Sequence, residues 1–237
     1  MATATLVSGH SQPLPEIVYR QLRSAILNGM FPPGSPLRQE EIAQKLGVSR
    51  NPVREALPRL ESEGIVVLSP RRGYTVAQLE PSEIRDVFAL RTLLETELVR
   101  RAVELKTHAD DDRILSILDQ MTQLAAQAQD VDRVRWFDLN LEFHDALMLP
   151  ARYPHHMKAL VQSRGVLEVY IRTEVKLTGD LDQAQREHLE MAQAFIAADG
   201  DLLVALTRQH SEHTRSRLLT GLAKTSLGSA LGNPKTA

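Results

Sequence analysis

The chain has 237 residues and is 43% hydrophobic, which suits one large or two ordinary globular domains and excludes a disordered chain. Lysine and arginine number 28 against 30 acidic residues, so any nucleic-acid surface must be local. With no cysteine, disulfides and thiolate metal sites are excluded; no uncharged apolar run approaches the roughly 20 residues of a membrane span and no secretion signal opens the chain, so a cytoplasmic protein without membrane association is expected.

Residues 1–12 are small and polar and are expected to form a loose tail. The periodicity then predicts a helix over 15–28, with Ile17, Leu22, Ala25 and Ile26 on its apolar side and Gly29 as its stop. A short helix over 39–46 ends at Gly47, and a third starts at Ser49, a good N-cap, with Pro52 in the first turn where a missing N–H costs little. Helix, tight turn, helix is the helix-turn-helix order: Ile42, Ala43 and Leu46 would pack on Val53, Leu57 and Leu60, leaving Arg50, Asn51 and Arg54 outward. Pro58 removes a backbone bond to Arg54 and is expected to kink this helix. Two strands, Ile65 to Leu68 and Tyr74 to Val76, flank the basic turn Ser69-Pro70-Arg71-Arg72-Gly73 and read as a wing.

Arg50 and Arg54 share a helix face at an N-terminus that is already partly positive, so they call for an anion. Double-stranded DNA supplies it, because arginine bonds O6 and N7 of guanine in the major groove. Arg38, a cation where a capping serine would be expected, suits a phosphate or base edge, and Arg72 and Gly73 at the wing tip could reach the minor groove or backbone. A solvated charged face is the bland reading of any one of these arginines. The order of cap, turn, helix and wing, with basic residues only outward, favours DNA.

The run PPGSPLRQEEIAQKLGVSRNPVREALPRLESEGIVVLSPRRGYTV resembles the winged helix of GntR-family bacterial transcription regulators. That resemblance implies DNA contacts at Arg38, Ser49, Arg50, Asn51, Arg54 and Gly73. The winged domain is placed at 13–78, with a linker at 79–82. Up to Glu80 there are 9 basic and 7 acidic residues, and beyond it 19 and 23, a split that suits a DNA-facing front half.

From 83 to 222 six helices are expected, near 83–105, 110–128, 131–149, 155–176, 181–198 and 201–220, with a flexible tail over 223–237. The fold expected is mainly α, an N-terminal winged helix-turn-helix plus a C-terminal all-α six-helix bundle. Three apolar stripes are interrupted by histidine: Phe137, Asn140, Leu141, His144, Leu147 and Met148; Leu181, Ala184, Gln185, His188, Ala192 and Phe195; Leu202, Leu203, Leu206, His210, His213 and Arg217. One inward histidine is usually a hydrogen-bonded core residue. Three on three helices of one bundle suit a divalent metal, with the Asn140 oxygen as fourth ligand. Arg91 falls on the stripe Ile84, Val87, Phe88, Leu94 and Leu98, and a buried arginine needs an anion, either Glu95 one turn on or a bound carboxylate.

This half is similar to the FCD effector domain of the FadR subfamily, and six helices suggest its VanR-like branch. The residues carrying the likeness are Arg91 with Leu94-Glu95, Asn140 to Phe143-His144, Glu187-His188 and His210. It implies a metal held by Asn140, His144, His188 and His210, zinc before nickel or manganese. Many members carry aspartate where this chain has Asn140, and a neutral amide is a poorer ligand for a dication. The function expected is a homodimeric repressor of a metabolic operon on a palindromic operator, its DNA affinity controlled by a small carboxylate effector bound at the metal and Arg91. Two other readings stay open: a metal-dependent hydrolase-like enzyme with an attached DNA-binding domain, and a regulator whose metal is itself the signal or purely structural. Against the enzyme, no carboxylate falls on the stripes beside the histidines as a general base; Glu142 and Asp145 lie toward other faces.

Overall fold

The computed structural model of the chain describes residues 13–71, 73–126, 130–178 and 181–231. The chain divides into two compact units, Met1–Ala77 and Gln78–Ala237.

The first unit holds helices α1 (Leu14–Leu27), α2 (Gln39–Leu46) and α3 (Arg50–Ser62), then an antiparallel hairpin of β1 (Val66–Ser69) and β2 (Gly73–Val76). Both α1 and α2 pack on α3. Val18, Leu22, Ile26 and Leu27 are buried, as are Val53, Ala56, Leu57 and Leu60. Each such aliphatic larger than alanine contributes about 1.5–3 kcal/mol. The apolar side of α1 is turned from the one expected: Ile17 is 36% exposed and Val18 is fully buried. The row Val18–Leu22–Ile26, spaced four apart, is the one that faces the core.

Gly47 ends α2 in the left-handed region, φ 64°, and Val48 N–H returns to the Ala43 carbonyl at 3.0 Å. That reversal frees α3 to leave at a new angle. Ser49 occupies the N-cap of α3 in extended backbone, but its side chain makes no capping hydrogen bond. The helix runs unbroken through Pro58, which is exposed. Its missing N–H deprives only the Arg54 carbonyl of a helical partner, so the expected kink does not end the helix. Pro58→Ala is expected to raise stability by roughly 1–3 kcal/mol, because proline costs about 3 kcal/mol against alanine within a helix and its restriction of the unfolded chain offsets only part. A thermal melt of the two proteins checks this.

The wing register pairs Val66 with Val76 and Ser69 with Gly73. The segment before α2 joins it: Leu37 N–H donates to the Tyr74 carbonyl at 2.8 Å and Val76 N–H to the Ser35 carbonyl at 3.0 Å. Arg38, the next residue and the N-cap of α2, is thereby fixed beside the wing.

The second unit holds α4 (Pro81–Leu105), α5 (His108–Ala125), α6 (Asp130–Met148), α7 (Pro154–Thr178), α8 (Asp182–Ile196) and α9 (Gly200–Leu231). α4 begins inside the expected linker. Pro81 takes the first turn, and the Glu83 carboxylate accepts the Glu80 N–H at 2.7 Å. α9 extends past Gly221 to Leu231, through residues expected as tail. Glycine costs only about 1 kcal/mol in a helix, and no proline intervenes before Pro234.

α4 packs against α6, α7 and α9, and α5 against α6 and α8. The main core includes Leu98, Ile114, Met121, Phe143, Leu160, Phe195 and Leu203. Leu202, expected on the inner stripe, is 47% exposed while Leu203 is fully buried. No helix among the described residues is long and apolar enough to cross a membrane.

Candidate functional site

Each unit carries a candidate site. In the first, Arg50, Asn51 and Arg54 are exposed on the opening turns of α3. Burial of Pro52, Val53, Ala56 and Leu57 on the opposite side forces them outward. Arg38, Arg50, Gly73 and Tyr74 line one groove between the start of α2 and the wing. Gly73 has φ 75° and the exposed Arg71 φ 66°, so the wing tip turns through the left-handed region. Arg72 lies outside the described residues.

The pairing of the arginines separates this face from an ordinary solvated one. Arg20 and Arg59 bind Glu16, Arg23 binds Glu63, and Arg38 binds Glu41 at 2.9 Å on the surface. Among the described residues, no carboxylate is paired with Arg50 or Arg54. Two unpaired cations at a helix N-terminus are left to meet an anion from outside.

In the second unit, His144 on α6, His188 on α8 and His210 on α9 converge. One ring nitrogen from each lies within 4.8 Å of the others. Burial, then repulsion from His210 and from nearby arginines, holds His144 and His188 well below the ordinary histidine pKa. Both are therefore neutral imidazoles at neutral pH, the form that ligates metals.

His188 is fully buried, stacked near Trp136 and Phe143, and neither of its ring nitrogens has a hydrogen-bond partner. An unmet polar atom of this kind costs about 1–3 kcal/mol. His210 is held differently. Its Nδ1–H donates to Glu187 Oε2 at 2.6 Å, which leaves the lone pair on Nε2. His213 Nδ1–H donates to Glu187 Oε1 at 2.6 Å. Burial alone would raise the Glu187 pKa, but the bonds from His210 and His213 outweigh it and hold it at about 2.

Glu187 is the residue that stripe reasoning passed over. A carboxylate does stand beside the histidines, one residue before His188, but it is occupied in orienting His210 and His213. The cue was in the sequence: an acid adjacent to an inward histidine, on a helix facing two more.

His144 and His210 open onto a cavity of about 80 Å³ lined also by Trp136, Asn140 and four arginines, among others. That is room for on the order of five waters. Asn140 lies one turn before His144 on the cavity wall, as its spacing predicts. Arg91 also lines the cavity, and both expectations for it meet there. Its Nε and Nη2 donate to Glu95 at 3.2 and 3.0 Å, so Glu95 is its partner within the chain.

Residues 14–76 match the bacterial regulatory proteins of the gntR family, and residues 86–213, over half of the chain, match the FCD domain. The chain belongs to the GntR family. The chain is 30% identical over 177 residues to the Bacillus subtilis (strain 168) HTH-type regulator YdhC, covering 72% of this chain and 75% of that one. It is 26% identical over 200 residues to the Escherichia coli (strain K12) HTH-type transcriptional repressor RspR, covering 84% and 86%. In three dimensions it resembles E. coli McbR/YncC with a TM-score of 0.75 at 21% identity, over 89% of this chain and 99% of that one. A winged helix-turn-helix followed by a helical FCD domain is thus the architecture of a GntR-family transcription regulator. The family and these relatives regulate transcription and are not enzymes, which sets the hydrolase reading aside.

Proposed function

We propose that this GntR-family regulator is a homodimeric repressor of the FadR subfamily, in its VanR-like branch, controlled by a small carboxylate bound beside a divalent metal. Arg50, Asn51 and Arg54 would read base edges, with Ser49, Arg38, Arg72 and Gly73 on the backbone or minor groove. A two-fold dimer would place its recognition helices on the half-sites of a palindromic operator.

The observation that carries the metal reading is His188, whose two ring nitrogens are buried and unpartnered where three imidazoles meet. The residues fit a cation well: His144, His188 and His210 offer nitrogen, the Asn140 amide offers oxygen, and Glu187 fixes the His210 tautomer. Zinc suits three imidazoles and one oxygen best, ahead of nickel or manganese. When bound, the metal would supply a Lewis-acidic position for a carboxylate oxygen, with Arg91 on the cavity wall. Effector and operator would then each alter the other's affinity by the same factor.

The test is operator affinity under three conditions: metal-loaded, chelated, and metal-loaded with a panel of small carboxylic acids. The expected result is that one or more acids weaken the metal-loaded complex and none acts after chelation. Loss of operator binding on chelation alone would instead make the metal the signal. Indifference to both metal and acids would overturn the reading.

A further inference from the structure

Four guanidinium groups line the cavity beside His144 and His210, and among the described residues only Arg217 has no carboxylate partner. Arg91 is taken by Glu95. Arg172, 2% exposed, is taken by Glu168 at 2.6 Å and Asp138 at 2.8 Å. Arg164, 8% exposed, uses only Nη2, toward Asp145, and its Nε and Nη1 are buried without a partner. Arg217 reaches only Thr214 Oγ1, at 3.4 Å, and its Nη1 is buried without a partner. Arginine cannot shed its proton to escape this. The sequence stripes held both Arg91 and Arg217 and gave the effector role to Arg91, which is the better paired; Arg164 and Arg217 hold the unspent donors.

We propose that the effector carries two separated anionic groups, and that Arg164 and Arg217 select the second. The inference rests on the carboxylate-effector reading above and specifies its chemical class. One carboxylate placed at the histidines leaves the buried N–H groups of Arg164 and the charge of Arg217 unmet. A hydroxyl there would accept a hydrogen bond without neutralising buried charge; a second anion does both. Arg217 follows His210 by seven residues, two turns along the same face of α9, so their backbones stand about 10 Å apart before the side chains converge. A short dicarboxylate of about four to six carbons carries two anionic groups on such a spacing.

The experiment measures binding to the metal-loaded protein by calorimetry. Each diacid (succinate, glutarate, adipate) is set against the monoacid of equal chain length (butyrate, valerate, hexanoate), with gluconate as one anion bearing a row of hydroxyls. At least one diacid is expected to bind about tenfold or more tighter than its monoacid. Arg164→Gln and Arg217→Gln should each shrink that preference while leaving monoacid affinity and metal content nearly unchanged, with circular dichroism confirming that both variants fold. The inference is overturned if no diacid exceeds its monoacid, if gluconate binds as tightly as the best diacid, or if the preference survives both substitutions. Metal content, measured separately, distinguishes the failures: metal bound without diacid preference removes this inference alone, whereas no metal bound removes the reading beneath it.

Discussion

Arg54→Ala is expected to cut operator selectivity sharply and to leave the fold untouched. The side chain is exposed and no carboxylate is paired with it, so its loss should move stability by no more than about 0.5 kcal/mol. In the groove the effect is large, because a bidentate arginine–guanine pair discriminates by about 1–3 kcal/mol and a two-fold dimer would make it twice, for about 30-fold or more overall. Arg38 makes the contrast. It already binds Glu41 on the surface and sits beside the wing, where a phosphate is the nearer anion. Arg38→Ala should therefore weaken operator and scrambled DNA alike and lower the salt slope by about two ions, one per subunit. Anisotropy with an operator selected from random duplexes, at two salt concentrations, reads both variants. Full operator affinity in Arg54→Ala would remove α3 as the reading helix.

The contrast between the two arginines also shows what a linear sequence can and cannot carry. Gly47, Ser49 and Pro52 act within one turn of chain, so the order of the winged helix was legible without coordinates. The inward histidines were legible too, because a helix repeats its face every three to four residues. Interruptions of that stripe at His144, His188 and His210 mark one interior point. Element ends were less so: Pro81 opens α4 within the stretch expected to link the units, and α9 passes the glycine expected to stop it. Rotation about a helix axis by one residue, enough to exchange Ile17 for Val18 or to turn Leu202 outward while Leu203 stays inside, depends on the partner helix and is not local information. The same holds for pairing. Nothing in the spacing says that Glu187 serves His210 and His213 on another helix, or that Asp145 takes only one nitrogen of Arg164.

His188→Leu should change the sign of its effect with metal. Leucine has nearly the same bulk and no ring nitrogens to leave unmet. In chelated protein the substitution removes two unpaired buried atoms and is expected to stabilise by about 1–2 kcal/mol. In metal-loaded protein the wild type gains from binding, about 4 kcal/mol at 1,000 times the dissociation constant, and the variant forfeits it. Metal content should drop from near one ion per chain to none, in His188→Leu and His188→Ala alike. A histidine that merely fills the core would give the same difference in melting temperature in both states. Acid adds a second signature. His144 and His188 have folded pKa values below the ordinary 6.5, so as pH falls through 6.5 the unfolded chain takes up protons that the folded chain excludes. Stability of the chelated protein is therefore lost on going below that value and is fully present above it. Melts from about pH 7.5 to about pH 5 should show this slope in wild type and a shallower one in His188→Leu, where one of the two buried imidazoles is gone. The single Trp136, with its ring centred 5.9 Å from that of His188, reports the same events by fluorescence. Equal slopes in the two proteins, with metal content unchanged, would return His188 to the core and leave the three imidazoles without a cation.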